Sequence, residues 1–175
     1  ITNINDSVIL PAITNATAYT GHNYTVYINA TDDDILVPEK SFYNESLTFS
    51  SNNSALSVGT KTIISGTNIT QVNFTFAADN LGLGNNSINI SVNDSNRFSK
   101  ASRVFTIQVL SNSAPVWGST QTNYSLTEDT NFYLNLSANA TDSNSDILTF
   151  SFINDTSFSS FSINSTTGII NFTPR

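Results

Sequence analysis

Seventeen of the 25 asparagines in this chain begin an Asn-X-Ser/Thr triplet in which X is not proline. This triplet is the acceptor sequence for N-glycosylation, in which a sugar is bonded to the asparagine side-chain nitrogen. Ser and Thr make up 49 of the 175 residues, so chance alone predicts about seven such triplets among these asparagines. The excess indicates a protein that works outside the cell under a coat of sugar. The triplets begin at Asn5, Asn15, Asn23, Asn29, Asn44, Asn52, Asn68, Asn73, Asn85, Asn89, Asn93, Asn123, Asn135, Asn139, Asn154, Asn164 and Asn171.

The charge and hydropathy of the chain exclude several classes of partner. The formal net charge is −7, with 6 Lys and Arg against 13 Asp and Glu. Binding to nucleic acid requires a basic face, and so does attraction to an anionic membrane surface. No stretch approaches the roughly 18 apolar residues of a membrane-spanning helix. We therefore expect no nucleic acid partner and no direct membrane span.

Residues that could carry catalysis are scarce. The chain has no cysteine and one histidine, His22, which excludes disulfides, thiolate metal sites and a Cys/His nucleophile. Two carboxylates could still form a hydrolase pair, but the acidic residues fall mostly in predicted loops and nothing places two across a cleft. We expect that the protein is not an enzyme.

Alternation of apolar and polar residues predicts the β-strands that position the acceptor asparagines. Ile88, Ile90 and Val92 share one face of a predicted strand, whose other face carries asparagine and serine. The triplet has the same two-residue period, so Asn and its Ser/Thr should point outward while X points into the core. Seven X residues are large and apolar: Tyr24, Ile69, Phe74, Ile90, Tyr124, Leu136 and Phe172. The alternative is that an Asn-rich chain produces some triplets by alternation alone.

An internal repeat predicts two domains. Asn29-Ala30-Thr31-Asp32 recurs as Asn139-Ala140-Thr141-Asp142, and Leu47-Thr48-Phe49-Ser50 recurs as Leu148-Thr149-Phe150-Ser151. The first repeat contains about seven predicted strands, a number typical of an antiparallel sandwich. They cover residues 7–13, 23–30, 46–50, 60–65, 68–77, 86–92 and 101–110.

The predicted fold class is all-β, with two tandem antiparallel β-sandwich domains. Residues 1–111 form a complete domain, and residues 112–175 form a second one that lacks its last strands. Two explanations of the short second repeat remain open. The chain is a fragment of a longer repeat protein, or a neighbouring subunit supplies the missing strand by strand exchange.

The pattern resembles the cadherin-like and immunoglobulin-like repeats of prokaryotic surface proteins. The resemblance is carried by Ser113-Ala114-Pro115-Val116-Trp117, Glu128-Asp129, Ala140-Thr141-Asp142, Leu148-Thr149-Phe150 and residues 167–174. Glycan acceptors without cysteine favour an archaeal host over an animal one. The resemblance implies an extracellular, cell-surface location.

Two equivalent loops are candidates for calcium binding. Their oxygen-bearing residues are Asp32, Asp34, Asp142, Asn144 and Asp146. Alternating Asp and Asn oxygens can surround calcium, which takes six to eight oxygen ligands. Resemblance to calcium-binding cadherin repeats would add Glu128 and the linker, yet the linker, residues 111–113, lacks the acidic residues of those repeats. The same residue types also form ordinary turns, so both interpretations remain open.

These observations favour a structural repeat module of a heavily N-glycosylated extracellular filament, stalk or cell-surface layer. Sugars on the sheet faces would leave domain ends and strand edges for contacts with copies of the chain or with further repeats. One alternative is an adhesin that binds a cell-surface ligand through tip loops, with residues 34–44 and their Glu39, Lys40, Phe42 and Tyr43 as the best candidate. Another alternative is a spacer domain of a large secreted enzyme.

Overall fold

The computed structural model describes residues 6–36, 46–94, 99–119, 123–153 and 161–175. The chain divides into two compact units, Ile1–Asn112 and Ser113–Arg175. Unit 1 contains strands β1 (Ala16–Tyr19), β2 (Asn23–Thr31), β3 (Thr48–Ser51), β4 (Ser57–Ile63), β5 (Ile69–Ala77), β6 (Gly84–Asn93) and β7 (Lys100–Leu110). Unit 2 contains β8 (Val116–Trp117), β9 (Phe132–Asn135), β10 (Ala140–Thr141) and β11 (Ile169–Phe172). Short 3-10 turns lie at Asp33–Leu36, Ala78–Asn80 and Ser137–Asn139.

Unit 1 is a sandwich of two sheets. One sheet has the order β2-β5-β4 and the other the order β1-β7-β6-β3. Alternate residues of β5 and β6 face the interior, among them Phe74, Ile88 and Ile90, which are fully buried. They belong to one apolar cluster with residues of β2, β3 and β7. Burying each such side chain contributes about 1.5–3 kcal/mol, so the alternation that predicted the strands also builds the core. The all-β sandwich prediction is confirmed.

The first predicted strand is wrong. Residues 7–13 contribute only an isolated bridge between Ile9 and Thr31. Pro11 lacks the N–H that a ladder requires, and the chain then moves to the other sheet as β1. There β1 pairs with β7 in parallel, with Ala16 opposite Ile107, so the sandwich is not antiparallel throughout. The other six strands of this unit lie within a few residues of their predicted bounds.

The described part of unit 2 has a smaller core. It contains two two-stranded antiparallel sheets, β8 with β10 and β9 with β11. Phe150 and Ile170 are its buried apolar residues. Aromatic rings pack edge to face on one side, with Phe172 at 5.6 Å from both Phe132 and Phe161 between ring centroids. No helix within the described ranges is both long enough and apolar enough to span a membrane.

Candidate functional site

The acceptor asparagines lie at the surface. The structure describes 14 of the 17, and Asn5, Asn44 and Asn154 lie outside the described residues. None of the 14 is buried. The exposed ones are Asn15, Asn23, Asn29, Asn52, Asn85, Asn123, Asn135, Asn164 and Asn171, and the half-buried ones are Asn68, Asn73, Asn89, Asn93 and Asn139.

The strand register places acceptors on the outward faces of both sheets of unit 1. On the three-stranded sheet, Asn73 of β5 lies opposite Tyr27 of β2, and Asn29 lies opposite Gln71. On the four-stranded sheet, Asn89 of β6 lies between the buried Ile88 and Ile90. A side chain that lies between two inward-facing neighbours on a strand must face outward, so sugars on these asparagines would stand over the sheet faces.

Two triplets depart from the predicted orientation. In Asn68-Ile69-Thr70 the threonine is buried and the isoleucine is half-buried. The inward positions of β5 are set by Val72, Phe74 and Phe76, and Thr70 falls on the same face. Tyr124, which was predicted to face the core, is exposed and lies outside the strands.

Several acceptor side chains are anchored through their oxygen. Asn15 Oδ1 accepts a hydrogen bond of 2.8 Å from the Thr106 N–H, and Asn52 Oδ1 accepts one of 2.8 Å from the Asn89 N–H. Asn164 Oδ1 accepts from the N–H groups of Thr166 and Thr167 at 3.0 and 2.9 Å. These bonds do not use Nδ2, the atom that carries a sugar, so the anchoring is compatible with modification.

A buried acidic cluster lies beyond the end of β2. Asp32 is 1% exposed, Asp34 is 3% exposed, and Asp94, which directly follows β6, is 2% exposed. Asp32 Oδ1 accepts from the Asp34 N–H at 3.0 Å, and Asp34 Oδ2 accepts from the Asp6 N–H at 2.8 Å. Asp32 Oδ2 and Asp34 Oδ1 are buried without a hydrogen-bond donor. Burial raises the pKa of Asp32 above its usual 3.8, and the neighbouring charges of Asp34, Asp94 and Asp6 raise it further, against the lowering by the Asp34 N–H.

The equivalent loop of unit 2 is organised as a turn. Asp142 Oδ1 accepts from the N–H groups of Asn144 and Asp146 at 2.8 and 3.2 Å. Asn144 Oδ1 accepts from the Ser113 N–H at 2.8 Å. The Asp142 carboxylate keeps one buried oxygen without a donor. Asp142 Oδ1 therefore closes the turn, and Asn144 Oδ1 joins it to the start of the unit at Ser113.

The fit of a cation differs between the two loops. No group of three or more Asp, Glu or His side chains within the described ranges is arranged to hold a metal ion. In unit 1, however, two buried carboxylate oxygens without a hydrogen-bond donor belong to Asp32 and Asp34, two residues apart, and hard oxygens of this kind suit calcium. Asp94 and Asp6 were missed by the sequence prediction because only the fold brings the ends of β2 and β6 together.

The candidate binding loop of the adhesin alternative lies mostly outside the described residues. Glu39, Lys40, Phe42 and Tyr43 all fall in the range 37–45. The structure therefore supplies no observation that favours this alternative.

Comparisons with known proteins address the fold. No protein-family model and no curated protein matches the chain. A chimeric titin Z1Z2 structure is 10% identical over 97% of this chain and 82% of its own length, with a TM-score of 0.53. An endo-fucoidan hydrolase of glycoside hydrolase family 107 is 17% identical over 99% of this chain, which spans 25% of the hydrolase, with a TM-score of 0.40. The SrpA adhesin of Streptococcus sanguinis is 15% identical over 62% of this chain and 58% of its own, with a TM-score of 0.37. Together with the strand order, the likeness to titin shows an immunoglobulin-like β-sandwich fold.

Proposed function

We propose that the chain is a structural repeat module of a heavily N-glycosylated extracellular filament, stalk or cell-surface layer, with no catalytic role. The observation that carries this function is the placement of the acceptor asparagines. All 14 described acceptors are exposed or half-buried, and six of them lie on the outward faces of the two sheets of unit 1: Asn23, Asn29 and Asn73 on one sheet, and Asn85, Asn89 and Asn93 on the other. Only 11% of residues are charged, so sugars would supply much of the hydration that keeps such a surface soluble.

Contacts between subunits are then left to strand edges and domain ends. In unit 1, β4 is an exposed edge strand, but it carries Lys61 and a register shift between Val58 and Lys61, two features that protect an edge from pairing. In the described part of unit 2, each strand of the two-stranded sheets is an edge strand. We propose that unit 2 pairs with another copy of the chain or with a further repeat, by strand exchange at these edges.

We propose that the host is a prokaryote, an archaeon, and that the chain belongs to a surface protein with cadherin-like and immunoglobulin-like repeats. The absence of cysteine from the chain supports this, because many small extracellular domains of animals depend on disulfides.

We also propose that a hard cation such as calcium neutralises the acidic cluster of unit 1. Asp32 and Asp34 would hold it, with Asp94 and Asp6 close by. The donorless oxygens of Asp32 and Asp34 support this, because burying an unpaired carboxylate is unfavourable unless a cation or a proton compensates it. The ion would supply charge neutralisation and would tie the N-terminal segment to the ends of β2 and β6.

The test is electron microscopy of the glycosylated protein combined with mass spectrometry of its glycopeptides. We expect filaments or a regular layer, and sugars on most of the exposed acceptors. Particles that stay monomeric at all concentrations would contradict the assembly, and asparagines that carry no sugar would contradict the glycan coat.

A further inference from the structure

Among the exposed large apolar side chains on paired strands, three lie directly opposite an acceptor asparagine. Tyr27 is 65% exposed, Val104 is 63% exposed and Tyr133 is 57% exposed. Each one is the direct cross-strand partner of an acceptor asparagine. Tyr27 lies opposite Asn73, Val104 opposite Asn89, and Tyr133 opposite Asn171.

Direct cross-strand partners are close neighbours on the same face of a sheet. Their Cβ atoms are about 4.5–5.5 Å apart in an antiparallel pair. A sugar bonded to Nδ2 of the asparagine therefore begins beside the tyrosine ring. A pyranose ring has a face of C–H groups that is apolar and flat enough to pack on an aromatic ring, whose face carries partial negative charge.

We propose that the first sugars of the glycans on Asn73 and Asn171 pack against the rings of Tyr27 and Tyr133 and thereby stabilise the sheets that carry them. This packing presupposes that the asparagines are glycosylated, as proposed above. At these two positions the packed sugar would contribute to the stability of the fold, whereas at the other acceptors the glycan would only cover the surface. At Val104 an aliphatic side chain offers the Asn89 sugar a smaller apolar surface of the same kind.

Asn73 has one large cross-strand neighbour, Tyr27 of β2, and a glycine on its other side. On the β4 side the amide of Asn73 lies over Gly59, where an added Cβ would come within 2.7 Å of the Asn73 Nδ2. The lack of a side chain at residue 59 therefore makes room for this amide. On the β2 side the direct partner is Tyr27.

Other acceptors provide a contrast within the same chain. Asn85 lies opposite Gln108 and Asn23 lies opposite Ala77. Their partners offer a sugar no large apolar surface. A protein partner that docked on Tyr27 or Tyr133 would have to displace the adjacent glycan, so the covalently attached sugar is the occupant that the register favours.

The experiment is a double-mutant cycle on the full chain expressed in a host that performs N-glycosylation. The variants are Asn73→Gln, Tyr27→Thr and the double variant in unit 1, with Asn171→Gln, Tyr133→Thr and their double in unit 2. Mass spectrometry first establishes occupancy at both asparagines. We expect the loss of the glycan to lower Tm by about 4 °C when the tyrosine is present and by much less when it is threonine.

Two controls isolate the sugar. The variant Asn85→Gln, which removes a glycan without an apolar partner, should show no coupling to Tyr27. The same cycle in a host that does not glycosylate should also show no coupling between the two substitutions, because the sugar that joins the asparagine to the tyrosine is then absent. Two-dimensional NMR should show sugar protons shifted upfield by the tyrosine rings in the glycosylated protein only.

The outcomes separate this packing from the proposed function. If Asn73 and Asn171 carry sugars but the Tm changes are additive, the packing is refuted and the glycan coat stands. If Asn73 and Asn171 are bare, the packing is refuted, and the glycan coat is refuted only if the other acceptors are bare as well. If the coupling is found but the protein forms no filament or layer, the packing stands and the structural role fails.

Discussion

The carboxylate of Asp32 is buried in unit 1, where a negative charge is unfavourable. Its Oδ2 is buried without a donor, and its neighbours Asp34 and Asp94 are also acidic and buried. Burial, followed by the neighbouring charges, raises the pKa of Asp32 above 3.8. A carboxyl whose pKa is raised by folding stabilises the fold fully only below its unfolded value, and this stability is lost as the pH rises through the raised pKa.

The first prediction concerns Asp32→Asn. In a chelator at pH 7, we expect this variant to be more stable than the wild type by about 1–3 kcal/mol, because it removes the buried charge and keeps an oxygen for the Asp34 N–H. The wild type should gain stability when calcium is added or when the pH falls from 7 toward the usual carboxyl pKa of 3.8, and the variant should lose both responses. Thermal melts by circular dichroism measure this. The exposed Asp33 provides the control, since Asp33→Asn should change neither response.

The second prediction concerns Asn68. Its Nδ2 donates a hydrogen bond to the Asp33 carboxylate, and the Thr70 hydroxyl of its triplet is on the buried face of β5. We expect lower sugar occupancy at Asn68 than at Asn29 or Asn85, whose triplets are outward. Quantitative glycopeptide mass spectrometry of the native protein compares them. Equal occupancy at the three positions would show that folding does not limit the modification.

Individual elements show which parts of the fold could be predicted from sequence. β6 could be predicted because Ile88, Ile90 and Val92 alternate with polar residues through a long strand. β1 could not, because Ala16–Tyr19 is short and its position is set by parallel pairing with β7. The outward orientation of the acceptor asparagines could be predicted from the two-residue alternation of the strands. The place of Asp94 beside Asp32 could not, because it depends on tertiary structure.

The third prediction concerns the β4 edge. Lys61 lies at the register shift of this exposed edge strand, and its Nζ donates to the Leu47 carbonyl at 2.8 Å. We expect Lys61→Val to promote self-association of unglycosylated protein, because the exposed Val58 and Ile63 would then be joined by a further apolar residue. Analytical ultracentrifugation should show larger species than the wild type forms at the same concentration. The matched change Gln108→Val, on a strand that lies inside its sheet, should leave the association of the wild type unchanged, and a Lys61→Val variant that associates no more than the wild type would contradict the protective role.

At the scale of the whole molecule, the two units differ in how much apolar surface they bury. Among the described residues of unit 1, eighteen buried apolar ones form the core cluster. In the described part of unit 2, Phe150 and Ile170 are the buried apolar residues, and Ile147 and Ile153 are almost fully exposed. Hydrophobic burial is the main favourable contribution to folding, so we expect unit 2 to be the less stable of the two and to gain more from a partner.

The fourth prediction is that the full chain unfolds in two thermal transitions, of which only the lower one depends on protein concentration. Assembly stabilises the unit that makes the contact by mass action, and unit 2 is the proposed contact. Phe74→Ala should lower the temperature of the upper transition alone, because it opens a cavity in the core of unit 1. The expected loss in the free energy of unfolding of this unit is about 3–5 kcal/mol. Ile170→Ala should shift the lower one alone. Differential scanning calorimetry at two concentrations tests this, and a lower transition that stays fixed across a hundredfold dilution, or a single transition that both substitutions move, would contradict assembly through unit 2.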